Sequence, residues 1–220
     1  MAESYIKAAI QGKRAHFFIL RQAGERELEL KFPEGTVKVD PNRIFTPAGS
    51  AASILKTNPD LTTDSPLYKQ AFTRCNRLAY WLTQNMGLFK RKTVIIAVHN
   101  NTDGFDDDGK GGEGTISMVR YQKRFEAGAK YIRRIFIGPG DEDDLIFLTH
   151  WRDYRYFKKR KFSIVQQHKQ VGHLPDEDDG SLSVWAEKFH RRYLNLEAQR
   201  DPDHLEVQQK MVDTVLKRFL

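Results

Sequence analysis

The feature that most constrains the fold of this chain is an uninterrupted apolar run, Val94–Val98, whose residues are mostly β-branched. Such a run predicts a strand that is buried on both faces, as in the middle of an α/β sheet. The run ends at His99, which is followed by Asn100, Asn101 and Thr102. Open α/β sheets bind ligands at the carboxyl ends of central strands, so these polar residues mark a candidate site. The alternative, that His99 is simply a hydrogen-bonded histidine at a strand end, stays open.

Helical and strand patterns lie on both sides of this run. Ser65 and Pro66 predict the N-cap and the first residue of a helix that continues to Gly87. A strand is predicted over 193–198 and carries Glu197 near its end. The continuous β-branched run between helical patterns predicts a single three-layer α/β domain with Val94–Val98 as its central strand.

The bulk composition excludes several classes of protein. The formal net charge is +7, from 36 Lys and Arg against 29 Asp and Glu, a modest excess that is compatible with an anionic partner. Cys75 is the only cysteine, so the chain can form neither an internal disulfide nor a thiolate zinc cluster. No apolar run reaches the length of a membrane span and no signal-peptide core follows Met1. The chain as written is therefore expected to be soluble, and its compartment stays unknown.

A stiff loop holds a candidate anion-binding arginine. Pro41 and Pro47 restrict this loop, and Ile44 and Phe45 are expected to pin it to the core. Arg43 is thereby held in one place, and a fixed guanidinium offers a fork of donors that suits a carboxylate. The competing interpretation is a structural arginine that ties down the loop.

Two charged stretches carry weaker signals. The acidic, glycine-rich stretch 103–114 lacks the carboxylates that an EF-hand needs, so a solvated loop is predicted. The basic run 158–161 follows Tyr154, Tyr156 and Phe157, which could indicate contact with nucleic acid. A solvated helix C-terminus is favoured, because no recognised nucleic-acid-binding module is present.

Four motifs in order resemble a bacterial branch of the zinc carboxypeptidase-like hydrolases, the clan of the succinylglutamate desuccinylase and aspartoacylase enzymes. They are Asp-Pro-Asn-Arg-Ile-Phe-Thr at 40–46, His-Asn-Asn-Thr at 99–102, Asp-Asp-Gly-Ser-Leu-Ser at 178–183 and Asn-Leu-Glu-Ala at 195–198. The resemblance covers nearly the whole chain. It implies one hydrolase-like domain over residues 1–220, a three-layer α/β/α fold with a mixed, largely parallel central sheet.

The resemblance also implies roles for individual residues. Asn42 and Arg43 match the pair that grips the substrate carboxylate, His99 matches a zinc ligand, and Glu197 matches the general base that activates the zinc-bound water. Arg43, His99 and Glu197 are therefore expected to converge on one cleft. Two further residues are expected to line it, Asn100 beside the histidine and Ser117 on the presumed next strand.

One departure concerns the metal. The clan supplies two further zinc ligands from a His-x-x-Glu motif upstream of the Asn-Arg pair, and nothing before Asp40 matches it. The chain is expected to be N-terminally truncated relative to the family and to hold zinc weakly, since catalytic zinc sites use three protein ligands. If an upstream signal peptide has been lost, the compartment is expected to be periplasmic or extracellular.

The expected function is that of a zinc-dependent hydrolase of the carboxypeptidase or amidohydrolase type, with part of its metal site missing. Its expected substrate is a peptide or acyl amino acid with a free carboxylate, and a cell-wall peptide fits by analogy. A catalytically inactive relative that binds a carboxylate ligand or a protein partner is the alternative. A basic nucleic-acid-binding protein ranks well below both.

Overall fold

The computed structural model describes residues 2–21, 26–102, 116–200 and 202–220. Within them the helices are α1 (Glu3–Ala9), α2 (Pro47–Thr57), α3 (Pro66–Asn85), α4 (Met118–Glu126), α5 (Trp151–Lys158), α6 (Leu182–Lys188) and α7 (Leu205–Phe219). The strands are β1 (Leu28–Phe32), β2 (Gly35–Val39), β3 (Val94–Asn101), β4 (Ile132–Phe136), β5 (Leu145–Leu148), β6 (Ser163–Gln167) and β7 (Arg192–Gln199). Short 3₁₀ helices lie at Pro41–Arg43, Val171–His173 and Pro175–Glu177. The acidic stretch 103–114 lies outside the described residues.

The chain divides into two compact units. Unit 1 comprises Met1–Phe17, Val94–Lys169 and Arg192–Leu220, and unit 2 comprises Phe18–Thr93 and Gln170–Arg191. Unit 1 contains the five-stranded sheet, and unit 2 contains the β1–β2 hairpin. The expectation of one hydrolase-like domain over residues 1–220 stays a prediction.

Unit 1 is built on a mixed sheet with the strand order β3-β7-β5-β6-β4. The β3/β7 and β5/β6 pairs are parallel, and the β5/β7 and β4/β6 pairs are antiparallel. On one face, Ile146, Leu196 and Met211 belong to a buried cluster shared with α1, α5 and α7. On the other face, the α4 residue Tyr121 places its ring 5.9 Å from that of Phe147. The predicted α/β class with helices on both sides of the sheet is confirmed.

The prediction that Val94–Val98 forms the central strand is wrong. β3 lies at the edge of the sheet, with β7 as its one neighbour among the described strands. Its apolar run has a different cause, because Val94, Ile96 and Val98 pack as partly buried residues against the cluster under α1, α5 and α7. An edge strand whose face is covered by helices therefore carries the same β-branched pattern as a central one. The interior strands are β7, β5 and β6, and every residue of β5 and β6 is buried.

Unit 2 packs α2 and α3 against the β1–β2 hairpin. Its core includes Val37, Val39, Ile54 and Cys75, all with no exposed surface. α3 begins where the sequence predicts, because the Ser65 side chain accepts a hydrogen bond from the Tyr68 N–H at 3.2 Å. Burial raises the pKa of the Cys75 thiol to about 11, which is typical of an unreactive core cysteine.

No helix in the described ranges combines the length and the apolar character that crossing a bilayer requires.

Candidate functional site

The carboxyl ends of β3 and β7 bring His99 and Glu197 together. The two residues are register partners in the parallel β3/β7 pair, so their side chains lie on the same face of the sheet. His99 Nδ1 lies 3.3 Å from Glu197 Oε1. The imidazole side chain is 46% exposed, whereas the Glu197 side chain is 8% exposed. A buried carboxylate thus contacts an imidazole that reaches solvent.

Asn195 fixes the Glu197 carboxylate from within the same strand. Residues two apart in a strand share a face, and Asn195 Nδ2 donates to Glu197 Oε1 at 2.7 Å. Asn195 Oδ1 is buried and has no hydrogen-bond partner among the described residues. The amide nitrogen therefore faces the carboxylate, and the amide oxygen remains available to accept a hydrogen bond.

The floor around this carboxylate is apolar and aromatic. Leu145 and Phe147 face Glu197 and Asn195 across the antiparallel β5/β7 pair, so they share its face. The Tyr121 ring of α4 packs on Phe147. Burial, and secondarily the negative charge of Glu197, raises the pKa of Tyr121. Tyr121 therefore stays a neutral phenol beside the carboxylate.

A hydrogen-bonded glutamine from α7 holds the end of β3 from the opposite face. Gln208 Nε2 donates to the His99 backbone carbonyl at 3.1 Å and to Asn100 Oδ1 at 2.8 Å. Its Oε1 accepts from the backbone N–H of Ala2 at 3.2 Å. Asn100 thus points toward α7, away from the face that His99 shares with Glu197.

Ser117 lies at the start of a helix, so the expectation that it lies on a strand is wrong. It is the N-cap of α4, and its hydroxyl accepts from the Val119 N–H at 3.1 Å. The residue has no exposed surface. Serine side chains satisfy the free N–H groups of a first helical turn, and that local bond explains the position.

In unit 2, the motif at 40–46 is bound to the motif at 178–183. Arg43 Nη1 donates to Asp179 Oδ2 at 2.8 Å, and the Thr46 hydroxyl donates to Asp178 Oδ1 at 2.6 Å. The Phe45 N–H donates to the carbonyl of Gly180 at 2.9 Å. These contacts fit the interpretation of Arg43 as a residue that ties down a loop, although its side chain stays 39% exposed.

Two glycines allow this close approach. Gly180 has φ +73°, and a Cβ placed there would collide with the backbone carbonyl of Arg43. A Cβ on Gly49 in α2 would in turn collide with the backbone of Gly180. The loop therefore rests on the backbone of the Arg43 turn because neither glycine carries a side chain.

The site residues expected from the sequence divide between the units. His99, Asn100, Ser117 and Glu197 lie in unit 1, whereas Asn42 and Arg43 lie in unit 2. The structure brings His99 and Glu197 into contact. Asn42 is exposed, and its backbone N–H donates to Asp40 Oδ1 at 2.9 Å. The convergence of Arg43 with His99 and Glu197 stays a prediction.

The donors around His99 do not fit a three-ligand zinc site. Among the described residues, the one group of three metal-binding side chains is Asp141, Glu142 and Asp143, and it does not include His99. Three carboxylates suit a hard cation rather than zinc, and acidic clusters are common without an ion. Near His99 the described residues offer the Glu197 carboxylate and amide side chains, and amides bind zinc poorly.

The pair can instead perform acid–base chemistry. A buried carboxylate at Nδ1 orients an imidazole and leaves Nε2 to exchange a proton with a bound molecule. Sequence reasoning gave no role to Asn195, Tyr121 or Gln208. The motif Asn-Leu-Glu held a usable signal for Asn195, because its spacing places the amide and the carboxylate on one face.

No protein-family model matches the chain, and neither a curated protein nor a solved structure matches it. Function is therefore inferred from the residues of the site.

Proposed function

We propose that the chain is a hydrolase of the carboxypeptidase or amidohydrolase type, acting on a peptide or acyl amino acid that has a free carboxylate. The observation that carries the proposal is the contact between buried Glu197 and half-exposed His99, at 3.3 Å, at the carboxyl ends of two parallel strands. Strand ends of this kind are where α/β proteins bind their ligands. The order of the four sequence motifs supports the choice of reaction.

The proposed chemistry assigns one step to each member of the pair. Glu197 orients the imidazole through Nδ1, and His99 Nε2 takes a proton from a water molecule as that water attacks the amide carbonyl. The C–N bond then breaks, and the same nitrogen returns the proton to the departing amine. Asn195 keeps the carboxylate in place through its 2.7 Å hydrogen bond.

The substrate end of the proposal rests on Asn42 and Arg43. The Arg43 side chain is 39% exposed although Nη1 is bonded to Asp179, so the guanidinium retains donors for a second carboxylate. Zinc enters only through the resemblance, and the described donors do not complete its site. We therefore expect the purified chain to hold zinc weakly.

The test measures hydrolysis of a panel of N-acyl amino acids and short peptides, with release of the free amine as the readout. The assay is run once with added zinc and once with a chelator. We expect turnover that His99→Ala lowers by about 10²–10⁴-fold, the usual contribution of a positioned acid–base group. His173→Ala is the matched control, because His173 is an exposed histidine of the other unit. Turnover that survives His99→Ala would overturn the assignment of this pair.

The incomplete donor set favours one second candidate, a catalytically inactive relative that binds a carboxylate ligand. Calorimetric titration with the same compounds separates the two functions. Saturable binding without turnover, weakened by Arg43→Ala, would establish the binding protein in place of the enzyme. Absence of both turnover and binding would overturn both.

A further inference from the structure

A dense basic surface lies on unit 1, on the side of the sheet that α5 and α7 cover. We call it the α5–α7 basic face. Its cationic residues line two grooves that share Tyr156, and they are Arg152, Arg155, Lys159, Arg160, Lys210, Lys217 and Arg218. Part of the basic run at 158–161 therefore belongs to a larger surface that includes a second helix.

In the part of the chain that the structure describes, most of these charges lie beyond salt-bridge distance of a carboxylate. Within the described residues, Arg218 is the one member that lies within salt-bridge distance of a carboxylate, with its Nε 3.4 Å from Asp153 Oδ1. Cationic side chains that are paired with carboxylates have little net charge to offer a partner. A cluster of unpaired cationic side chains attracts a polyanion.

Aromatic rings are interleaved with the guanidinium groups. Trp151 is 41% exposed, and the guanidinium carbons of Arg152 and Arg155 lie 5.3 and 5.8 Å from its ring centre. The guanidinium carbons of Arg160 and Arg218 lie 3.6 and 4.7 Å from the ring centre of Tyr156. These contacts hold the arginines at fixed positions without consuming their charge.

The surface is concave where these side chains meet. A groove of about 310 Å³ is lined by Trp151, Arg155, Tyr156 and Arg218, among others. Tyr156 also lines a second groove of about 890 Å³, which contains the carboxylates Glu206 and Asp213 as well as three cationic side chains. The two grooves share Tyr156, and their combined lining holds seven cationic and two acidic side chains.

We propose that the α5–α7 basic face binds single-stranded nucleic acid. A single strand needs cationic groups for its backbone and a flat exposed ring on which a base can stack, and the Trp151 ring meets the second requirement. An anionic lipid surface fits less well, because Trp151 is the one large apolar side chain in this lining that is extensively exposed among the described residues. The grooved shape also suits a strand better than a bilayer.

The experiment is fluorescence anisotropy of the full chain with a labelled oligothymidylate of about 15 nucleotides, at salt concentrations from about 50 to 200 mM. The charge variant is the double substitution Arg152→Ala with Arg155→Ala. Its matched control is Lys90→Ala with Arg91→Ala, which removes two exposed charges from the other unit. Urea unfolding of each variant verifies that it is folded.

We expect the charge variant to bind at least about 10-fold more weakly and the slope of log K against log salt to fall by about 1.4, the value for two lost phosphate contacts. Trp151→Ala should weaken binding and leave that slope unchanged, because stacking releases no counterions. The control should bind like the wild type. Equal weakening by both double variants would overturn the proposal, as would anionic phospholipid vesicles that displace the oligonucleotide at equal charge concentration.

Discussion

The two ends of strand β7 each hold a buried carboxylate, and the two are neutralised in different ways. At the amino end, Asp153 has no exposed surface and accepts from Arg192 Nε at 2.6 Å, with Arg218 as a second guanidinium partner. Toward the carboxyl end, Glu197 accepts from the Asn195 amide and contacts the His99 imidazole. No lysine or arginine of the described ranges lies within salt-bridge distance of Glu197.

The difference separates a carboxylate that is paired with permanent cations from one that is paired with an amide and an imidazole. Guanidinium groups are always charged, so Arg192 and Arg218 are permanent cationic partners of Asp153 and tie together α5, α7 and β7. An imidazole can accept and donate a proton through its second ring nitrogen, so the Glu197 carboxylate is paired with a proton-transfer group rather than with a fixed cation. Burial is common to both ends, and the partner decides what each carboxylate can do.

The largest expected effect on stability is at the amino end. Asp153→Asn should lower the free energy of unfolding by about 3 kcal/mol, because it leaves two guanidinium groups without their anion. Glu197→Gln should change it by less than about 1 kcal/mol, because glutamine keeps the contact with Asn195. Urea unfolding of both variants measures the two values. The reverse order would abolish the distinction between the two ends.

How much of this could be predicted depends on whether the signal is local. The Ser65 cap of α3 and the strand that carries Glu197 follow from neighbouring residues, so both were predictable. Strand order is set by long-range pairing, and a β-branched run such as Val94–Val98 does not report it. Strand β7 was harder to recognise as an interior strand, because polar residues interrupt its apolar pattern. In the fold, hydrogen bonds allow such polar side chains to be buried.

Other features of the site depend on contacts between distant residues. Gln208 lies 109 residues from His99, and no sequence spacing connects the two. Ser117 shows a different failure, because a serine before an apolar residue is compatible with both a strand and a helix cap. The contact between Arg43 and Asp179 spans 136 residues, so the sequence left both interpretations of Arg43 open.

The motif at 178–183 is a third region for comparison. Its contact with the Arg43 turn depends on a close approach of two backbones and not on a buried charge. Gly180→Ala should cost about 2 kcal/mol, because a Cβ there meets the Arg43 carbonyl as well as an unfavourable positive φ. Gly128→Ala is the matched control, with φ +83° and open space around its Cβ. It should cost about 1 kcal/mol, and denaturant unfolding compares them. Equal losses would show that the close backbone approach contributes nothing.

The Arg43–Asp179 pair is an exposed ion pair that can be compared with the buried ion pair of Asp153. Its two side chains are 39% and 51% exposed, whereas Asp153 has no exposed surface. Arg43→Ala should therefore lower the free energy of unfolding by less than about 1 kcal/mol. A loss as large as that of Asp153→Asn would mean that Arg43 is primarily structural, and weaker ligand binding could then be ascribed to unfolding.

The smallest expected effect is a pH dependence of the free energy of unfolding, caused by His150 near the amino end of β7. Burial, and secondarily the positive charge of Arg192, lowers the pKa of His150, and together they outweigh the opposing effect of the Asp153 carboxylate 4.0 Å away. As pH falls through the ordinary value of 6.5, the unfolded chain takes up a proton that the folded chain refuses, so stability declines. His150→Asn retains a helix-capping side chain and removes this proton. Unfolding at about pH 7.5 and about pH 5.5 should show a smaller decline in the variant than in the wild type.

The central claim, that His99 and Glu197 form one reactive unit, is tested most directly by a double-mutant cycle on kcat/KM for the best substrate of the hydrolysis panel. His99→Ala and Glu197→Gln should each lower kcat/KM by about 10²–10⁴-fold, and the double variant should lose no more than the worse single variant. That result follows if the carboxylate acts only through the imidazole. Losses that multiply in the double variant, or a Glu197→Gln variant with wild-type activity, would contradict the claim.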